Sequence, residues 1–278
     1  MSDRPLLESK DLIKRYNGRA VVNELGFCVY PAEIVGLLGR NGAGKTTSFR
    51  MTVGMIDPDG GQVFFDGEDV TNLPMYKRAQ RGMGYLSQEP SVFQRLTVRQ
   101  NLLAILETLK HLSKFERNER ADQLIDQFGL TRQAHQEART LSGGERRKLE
   151  IARALVTDPT LIMLDEPFSG VDPIAVEQLQ TEILRLREEG GIAILLTDHN
   201  VRETLAVTDR SYIIDDGKEL RSGSPAELVR DPLVRKTYLG STFQGDEFDE
   251  PKKPKAGDKP TDKVAPKQAG QGRLLQSE

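Results

Sequence analysis

The alternation of hydrophobic and polar positions divides the chain into strands and helices. Residues 6–13 and 21–30 alternate, which is typical of antiparallel strands with one buried face. Residues 33–38 form an almost continuous apolar run, which indicates a strand buried on both faces. Further apolar runs lie at residues 63–65, 84–86, 161–164, 192–196 and 211–214, and a helical pattern covers residues 174–188. The pattern predicts an α/β fold with a mixed, largely parallel sheet.

The periodicity becomes helical between residues 97 and 140. Apolar residues there fall on two stripes, one of Leu102, Leu103, Leu106 and Leu109 and another of Leu124, Ile125 and Phe128. We expect an α-helical subdomain over about residues 90–157, inserted into the α/β core. Residues 245–278 are rich in Pro, Lys, Asp, Gly and Gln without periodicity, which predicts a disordered tail after a domain of residues 1–244.

Composition narrows the class of protein. A net charge of -3 and a pI near 5.8 argue against a nucleic-acid surface or a polybasic membrane anchor as the main mode of binding. Each apolar run is far shorter than the roughly 18 residues of a membrane span. The first five residues lack the basic and then apolar run of a secretory signal. The single cysteine, Cys28, cannot form an internal disulfide and is expected to be a buried strand residue. We expect a cytoplasmic protein that does not bind nucleic acid.

A phosphate-binding loop follows the apolar run at residues 33–38. The pattern Gly-x-x-x-x-Gly-Lys-Thr comprises Gly39, Arg40, Asn41, Gly42, Ala43, Gly44, Lys45 and Thr46. Its glycines let main-chain N–H groups wrap the phosphates at the start of the next helix. Lys45 would reach the β- and γ-phosphates, Thr46 offers a hydroxyl to Mg²⁺, and Thr47 caps the helix or touches the α-phosphate. The loop predicts ATP and Mg²⁺ as ligands.

Two adjacent carboxylates end the apolar run at residues 161–164. Because neighbouring residues of a strand point in opposite directions, Asp165 and Glu166 have different roles. We expect Asp165 to hold the Mg²⁺ shell and Glu166 to act as general base on the attacking water. An acidic pair at a strand end is by itself more often a solvated turn or a helix cap. Beside a phosphate loop, the pair indicates ATP hydrolysis.

A second phosphate-facing loop lies far downstream, and it comprises Leu141, Ser142, Gly143, Gly144 and Glu145. Ser142 can cap a helix over residues 145–155, which leaves its hydroxyl and the following amides free to meet a γ-phosphate. The alternative is that Ser142 only caps the helix. Because one nucleotide seldom needs two phosphate loops from one chain, we expect a second copy of the protein to complete each site.

This second loop resembles the signature loop of ATP-binding cassette (ABC) proteins, and the resemblance covers almost all of residues 6–240. It implies a phosphate-loop NTPase with a RecA-like, mostly parallel core, an antiparallel β subdomain and the inserted α-helical subdomain. It also implies roles for four residues that are unremarkable alone: Tyr16 stacks on adenine, Gln88 links the Mg²⁺ site to the helical subdomain, Asp172 lies in the dimer interface, and His199 contacts the γ-phosphate. Taken alone, these four indicate packing, a surface glutamine, a helix cap and a structural histidine.

The resemblance further implies a mechanism and partners. Two cassettes close head to tail with ATP between residues 39–47 of one copy and residues 142–145 of the other, and hydrolysis reopens them. In transporters, a membrane subunit docks between Gln88 and the helical subdomain, so the segment from Glu89 to Leu96 is the candidate docking surface. The protein would then be peripheral on the cytoplasmic face of the inner membrane.

Local sequence separates transport classes within the family. The stretches 34–39, 85–89, 141–147, 165–168, 170–173, 197–205 and 238–240 are most similar to ATPases of bacterial lipopolysaccharide export. A cassette for branched-chain amino-acid uptake shares much of this sequence and is the first alternative. The second is a soluble ABC ATPase of DNA repair or translation. Such ATPases usually carry a long coiled-coil insertion or two cassettes, and the sequence contains neither.

Overall fold

Two β-sheets form the framework of the computed structural model, which describes residues 4–89, 91–240, 243 and 248. The strands are β1 (Leu7–Tyr16), β2 (Arg19–Val29), β3 (Ile34–Gly39), β4 (Gly60–Phe65), β5 (Glu68–Asp69), β6 (Met83–Leu86), β7 (Leu161–Asp165), β8 (Ala193–Thr197), β9 (Arg210–Asp215) and β10 (Lys218–Gly223). The α-helices are α1 (Lys45–Val53), α2 (Met75–Ala79), α3 (Val98–Leu106), α4 (Lys114–Gln127), α5 (Gly143–Ala154), α6 (Pro173–Glu188), α7 (Val201–Leu205), α8 (Pro225–Arg230) and α9 (Pro232–Val234). Short 3-10 turns lie at Thr131–Gln133, Ala138–Thr140 and Leu155–Thr157, and a π-helical turn lies at Arg235–Leu239.

The larger sheet has the strand order β10-β9-β3-β8-β7-β6 in the described residues. All its neighbouring strands are parallel except β9 and β10, which are antiparallel. Asp165 pairs with Thr197 across β7 and β8, and Gly39 ends the neighbouring β3. The carboxyl ends of three adjacent parallel strands therefore lie at one edge of the sheet, where ligands bind in open α/β folds.

The smaller sheet is antiparallel, with the order β2-β1-β4-β5. Its buried residues Leu12, Val22 and Val63 share one apolar cluster with Phe49 of α1 and Leu37 of β3. The mixed sheet, the antiparallel part and the predicted strands are confirmed. Two strands were not predicted, the short β5 and the edge strand β10. Cys28 lies in β2 as expected, but it is only partly buried.

Helices α3, α4 and α5 occupy the chain between β6 and β7, in the region where helical periodicity was seen. Their buried leucines, among them Leu102, Leu124 and Leu149, belong to one apolar cluster that also contains Leu164 and Leu196 of the sheet. Helix α3 ends at Leu106, so Leu109 lies beyond the helix, but its partly buried side chain packs against the same cluster as Leu102 and Leu106. The boundaries near residues 90, 157 and 244 stay predictions, and the predicted tail lies outside the described residues apart from residue 248.

The helix that carries the phosphate-loop lysine is fixed at its far end by a buried arginine. Arg78 is only 1% exposed and donates to the main-chain oxygens of Met51 and Thr52 at the end of α1. Two further donations reach the oxygens of Leu73 and Thr71. Burial lowers the pKa of Arg78 to about 10, so the side chain stays cationic at neutral pH. A cation at a helix C-terminus stabilises it by interaction with the helix dipole.

Candidate functional site

The phosphate loop joins β3 to α1 and depends on glycine at two positions. Gly44 caps α1 with φ of 105°, and a Cβ there would lie 2.7 Å from the main-chain oxygen of Val21. A Cβ at Gly39 would lie 2.2 Å from the main-chain oxygen of Ile214. Larger residues would push the loop away from the sheet. Arg40, Asn41 and Gly42 are exposed, Ala43 is buried, and Thr46 and Thr47 are partly buried.

The side chain of Lys45 lies along this loop. It is 6% exposed, and its Nζ donates to the main-chain oxygens of Gly39 at 2.6 Å and Arg40 at 3.2 Å. Burial lowers the pKa of Lys45, and the nearby carboxylates of Glu166 and Asp198 oppose that shift. Its present partners are neutral carbonyls. Phosphate oxygens would bind the ammonium group more strongly because such hydrogen bonds are charge-assisted on both sides.

Asp165 presents an unsatisfied carboxylate oxygen at the end of β7. The side chain is 3% exposed, and its Oδ1 has no hydrogen-bond partner among the described residues. Burial raises the pKa of Asp165, and the charge of Arg50 opposes the shift. The described residues contain no group of three His, Cys, Asp or Glu side chains that could hold a metal ion alone. A buried carboxylate oxygen without a partner is the type of ligand that Mg²⁺ prefers, so Asp165 would be able to hold the ion.

Glu166 lies at the centre of the predicted catalytic residues. Its φ is 46°, a strained value for a residue other than glycine, and its N–H donates to the main-chain oxygen of Thr197 at 2.7 Å. The Nε2 of Gln88 donates to Oε2 of Glu166 at 3.0 Å, and Nδ1 of His199 lies 3.5 Å from the same oxygen. The structure thus places the side chains of Gln88 and His199 around the carboxylate of Glu166.

Asp198, which sequence analysis did not identify, fixes the turn that carries His199. It is fully buried, and Oδ1 accepts from the N–H groups of His199 at 2.7 Å and Asn200 at 2.9 Å. Oδ2 accepts from the N–H of Phe168 at 2.8 Å. Burial raises the pKa of Asp198, and these main-chain hydrogen bonds oppose that shift. The available signal was its place directly after β8, which is the position that Glu166 has after β7.

The signature loop begins α5. Ser142 is the N-cap, and its Oγ accepts from the N–H of Glu145 at 3.3 Å. A Cβ at Gly143 would meet no atom within 4 Å, and one at Gly144 would meet only Oε1 of Gln178, at 4.0 Å. Neither glycine has a positive φ. Nothing in the described part of this chain therefore requires glycine at these two positions.

A groove of about 440 Å³ lies between α5 and α6, and residues from both predicted half-sites line it. Gln88 and Glu166 line it on one side, and Ser142 and Asp172 line it on another. Asp172 caps α6 by accepting from the N–H of Ala175 at 3.1 Å. No hydrogen bond or ion pair among the described residues joins the signature loop to the phosphate loop.

The predicted adenine-stacking residue, Tyr16, lies away from these contacts at the end of β1. It is 47% exposed, and the Nζ of Lys14 lies 5.8 Å from its ring centroid. No described contact joins the ring to the phosphate loop. Its role stays a prediction.

Comparison with known proteins places this site in a family. Residues 22–169 match the ABC transporter family. The chain is 52% identical over 239 residues to the "Lipopolysaccharide export system ATP-binding protein LptB" of Acidithiobacillus ferridurans, covering 86% of this chain and 98% of that protein. It is 48% identical over 238 residues to the protein of the same name from Escherichia coli (strain K12), covering 86% and 98%. A crystal structure of an ATP-binding cassette of an ABC transporter, in its ADP conformation, matches with a TM-score of 0.76 and 26% identity, covering 85% and 99%.

The chain belongs to the family of ABC transporter ATP-binding proteins. It binds nucleotide and is an ATPase whose hydrolysis is coupled to transport, and ATPases of this type work as dimers with membrane subunits. The predicted fold class and enzyme class are confirmed. In the part of the chain that the structure describes, no helix is long and apolar enough to cross a membrane.

Proposed function

We propose that two copies of this chain close head to tail around two ATP molecules and that hydrolysis reopens them. The observation that carries this proposal is the cluster of Gln88 and His199 around Glu166, beside the unsatisfied oxygen of Asp165. Glu166 supplies the base and Asp165 supplies a ligand for a cation, both at the same edge of the larger sheet. The phosphate loop at the same edge supplies the cradle for the nucleotide.

Within each site, Thr46, Gln88 and Asp165 would hold Mg²⁺, which would supply positive charge to stabilise the phosphates during transfer. Lys45 exchanges its two carbonyl partners for phosphate oxygens. The main-chain N–H groups of residues 39–47 surround the phosphates, and Tyr16 stacks on adenine.

Glu166 acts as general base. Its Oε2 accepts a proton from the attacking water, while Gln88 holds the carboxylate in place. His199 contacts the γ-phosphate from the turn that Asp198 fixes. Because Asp198 acts through His199, it is a positioning residue.

The other copy completes the site with its signature loop. The Ser142 hydroxyl and the amides of Gly143 and Gly144 face the γ-phosphate, Glu145 caps the same helix, and Asp172 lies in the interface. The two glycines support this arrangement because their missing side chains leave room for an approaching molecule. A two-fold axis makes the two sites equivalent.

The segment from Glu89 to Leu96 binds a membrane subunit. Phe93 within it is 48% exposed, and its ring stacks on Arg153 of α5, whose guanidinium carbon lies 4.7 Å from the ring centroid. The main-chain N–H of Ser91 donates to Glu150 of the same helix at 3.3 Å. The surface is thus attached to the helix that begins at the signature loop. Closure of the dimer would move it.

The cargo that the relatives' names support is lipopolysaccharide, exported from the inner membrane with this chain on the cytoplasmic face. These names favour export over amino-acid uptake. Co-purification from native membranes tests the cargo, because membrane subunits that carry bound lipopolysaccharide are expected with this chain. Capture of subunits of an amino-acid uptake system instead would overturn the cargo.

Glu166→Gln tests the catalytic proposal. Removing the base should lower the turnover number roughly 10²- to 10⁴-fold. ATP binding should persist, and the dimer should accumulate with ATP because it no longer reopens. Hydrolysis near the parental rate would exclude Glu166 as base.

A further inference from the structure

Ser142 already donates its one hydroxyl proton within its own chain. Its Oγ donates to Oε2 of Glu145 at 2.8 Å, and its main-chain N–H donates to the same oxygen at 2.9 Å. A serine hydroxyl has one proton to donate. An ionised phosphate oxygen only accepts. Ser142 therefore cannot donate to Glu145 and to a γ-phosphate at the same time.

A second side chain holds the same carboxylate. Gln133, at the end of the 3-10 turn Thr131–Gln133, donates from Nε2 to Oε1 of Glu145 at 2.6 Å. The opposite amide orientation would place its oxygen against the carboxylate, so electrostatics selects the donor orientation. Hydrogen bonds from Ser142, and more weakly from Gln133, lower the pKa of Glu145. The carboxylate is therefore anionic at neutral pH.

The bond from Gln133 distinguishes this helix start from two others in the chain. Ser113 with Glu116, and Ser224 with Glu227, form the same reciprocal capping arrangement. Neither of those glutamates accepts from a glutamine in the described ranges 4–89 and 91–240. Helix capping alone therefore does not account for Gln133, which comes from a separate turn of the helical region.

We infer that Gln133 is a positioning residue for the signature serine: by holding Glu145, it keeps the Ser142 hydroxyl directed at that carboxylate until the cassettes close. This inference rests on the proposed two-copy ATP site. On closure, the hydroxyl exchanges the Glu145 oxygen for a phosphate oxygen, and no covalent bond changes. The exchange opposes closure. Gln133 thereby raises the ATP concentration at which two copies join.

The test measures ATP-dependent dimer formation by sedimentation in a Glu166→Gln background, where the closed form persists. Gln133→Met keeps the length of the side chain and removes its donor, so Glu145 can turn to solvent. The half-saturating ATP concentration should fall roughly three- to tenfold, which is the size of one hydrogen bond. Glu145→Gln keeps a capping residue but loses the charge. It should shift the concentration in the same direction.

Gln136→Ala is the matched control because Gln136 is an exposed glutamine three residues further along. It should leave dimer formation at the parental value. Monomer nucleotide affinity should be parental in Gln133→Met, and unfolding should stay cooperative with a melting temperature lowered by only about 2–4 °C, which is the size of one hydrogen bond. These two measurements separate positioning from loss of structure. An unchanged or higher ATP requirement in Gln133→Met would overturn the inference. If the Glu166→Gln parent never dimerises with ATP, the two-copy site itself fails, and this inference fails with it.

Discussion

The amide nitrogen of Gln88 donates a hydrogen bond of 3.0 Å to the carboxylate of Glu166. The two residues are 78 positions apart, and they connect the segment after β6 with the end of β7. The segment that follows Gln88 includes the proposed membrane-docking surface. One hydrogen bond thus links the carboxylate that we propose as general base to the segment that we propose as the docking surface for the membrane subunit.

Removal of this bond should slow hydrolysis more than it weakens nucleotide binding. In Gln88→Ala, the carboxylate loses a donor and Mg²⁺ loses a proposed ligand. We expect the turnover number to fall about 10- to 100-fold, within the range for positioning groups, with nucleotide affinity of the monomer changed less. The half-saturating Mg²⁺ concentration should rise. Phosphate release and nucleotide titration measure these effects, and Gln136→Ala serves as the control. A turnover number within twofold of the parental value would contradict the assigned role.

Asp165 should lower the stability of the nucleotide-free protein. Its pKa is raised by burial, so the folded state binds a proton more readily than the unfolded state does. The free energy of unfolding therefore falls as pH rises from the ordinary value of 3.8 to the raised one. Asp165→Asn removes the buried charge, and we expect it to gain about 1–3 kcal/mol at neutral pH while losing hydrolysis.

Thermal unfolding without nucleotide, measured over a series of pH values from 3.8 upward, follows this effect. The gain in melting temperature of Asp165→Asn should grow as the pH rises above 3.8, because burial disfavours the charged form of the carboxyl. A gain that does not change over this series, or a loss of stability at its upper end, would contradict the destabilising role of this charge. Asp172→Asn is a useful comparison because Asp172 is an exposed helix cap whose charge is not buried.

The catalytic chemistry could be predicted from the sequence because each part follows a strand or begins a helix. Strands β3, β7 and β8 are apolar runs, and parallel strands bring their carboxyl ends to one edge. The phosphate loop, Asp165 and Glu166 were therefore expected together. For Gln88 and His199, a family resemblance was the only signal in the sequence, and the structure adds their contacts with Glu166.

Other features depend on main-chain geometry that leaves no pattern in the sequence. Strand β10 is an edge strand of mostly exposed residues, held by pairing with β9, so it lacks hydrophobic alternation. Asp198 acts by accepting three main-chain N–H groups. The bond from Gln133 to Glu145 joins separate turns through side chains. Hydrogen-bond partners of this kind are brought together by folding, so the sequence pattern does not predict them.

Phe93 should be needed for binding the membrane partner and not for nucleotide binding. Phe93→Ala removes an exposed ring from the segment between Glu89 and Leu96 and leaves Arg153 without its aromatic contact. Hot-spot aromatic residues typically contribute 2 kcal/mol or more, so co-purified membrane subunit should drop at least about 10-fold. Phe115→Ala is the matched control, because Phe115 is 75% exposed on α4. Equal recovery of partner with both variants would remove this surface from the account.

The central claim is that each ATP site combines Glu166 of one copy with Ser142 of the other. Mixing two inactive variants, Ser142→Arg and Glu166→Gln, tests it most directly. In a mixed dimer, one site contains both native residues and the other contains neither. We expect each variant alone to be nearly inactive and an equal mixture to recover about a quarter of parental ATPase activity, since half the dimers are mixed and each has one intact site. A mixture no more active than its components, or an active Ser142→Arg protein, would contradict the claim.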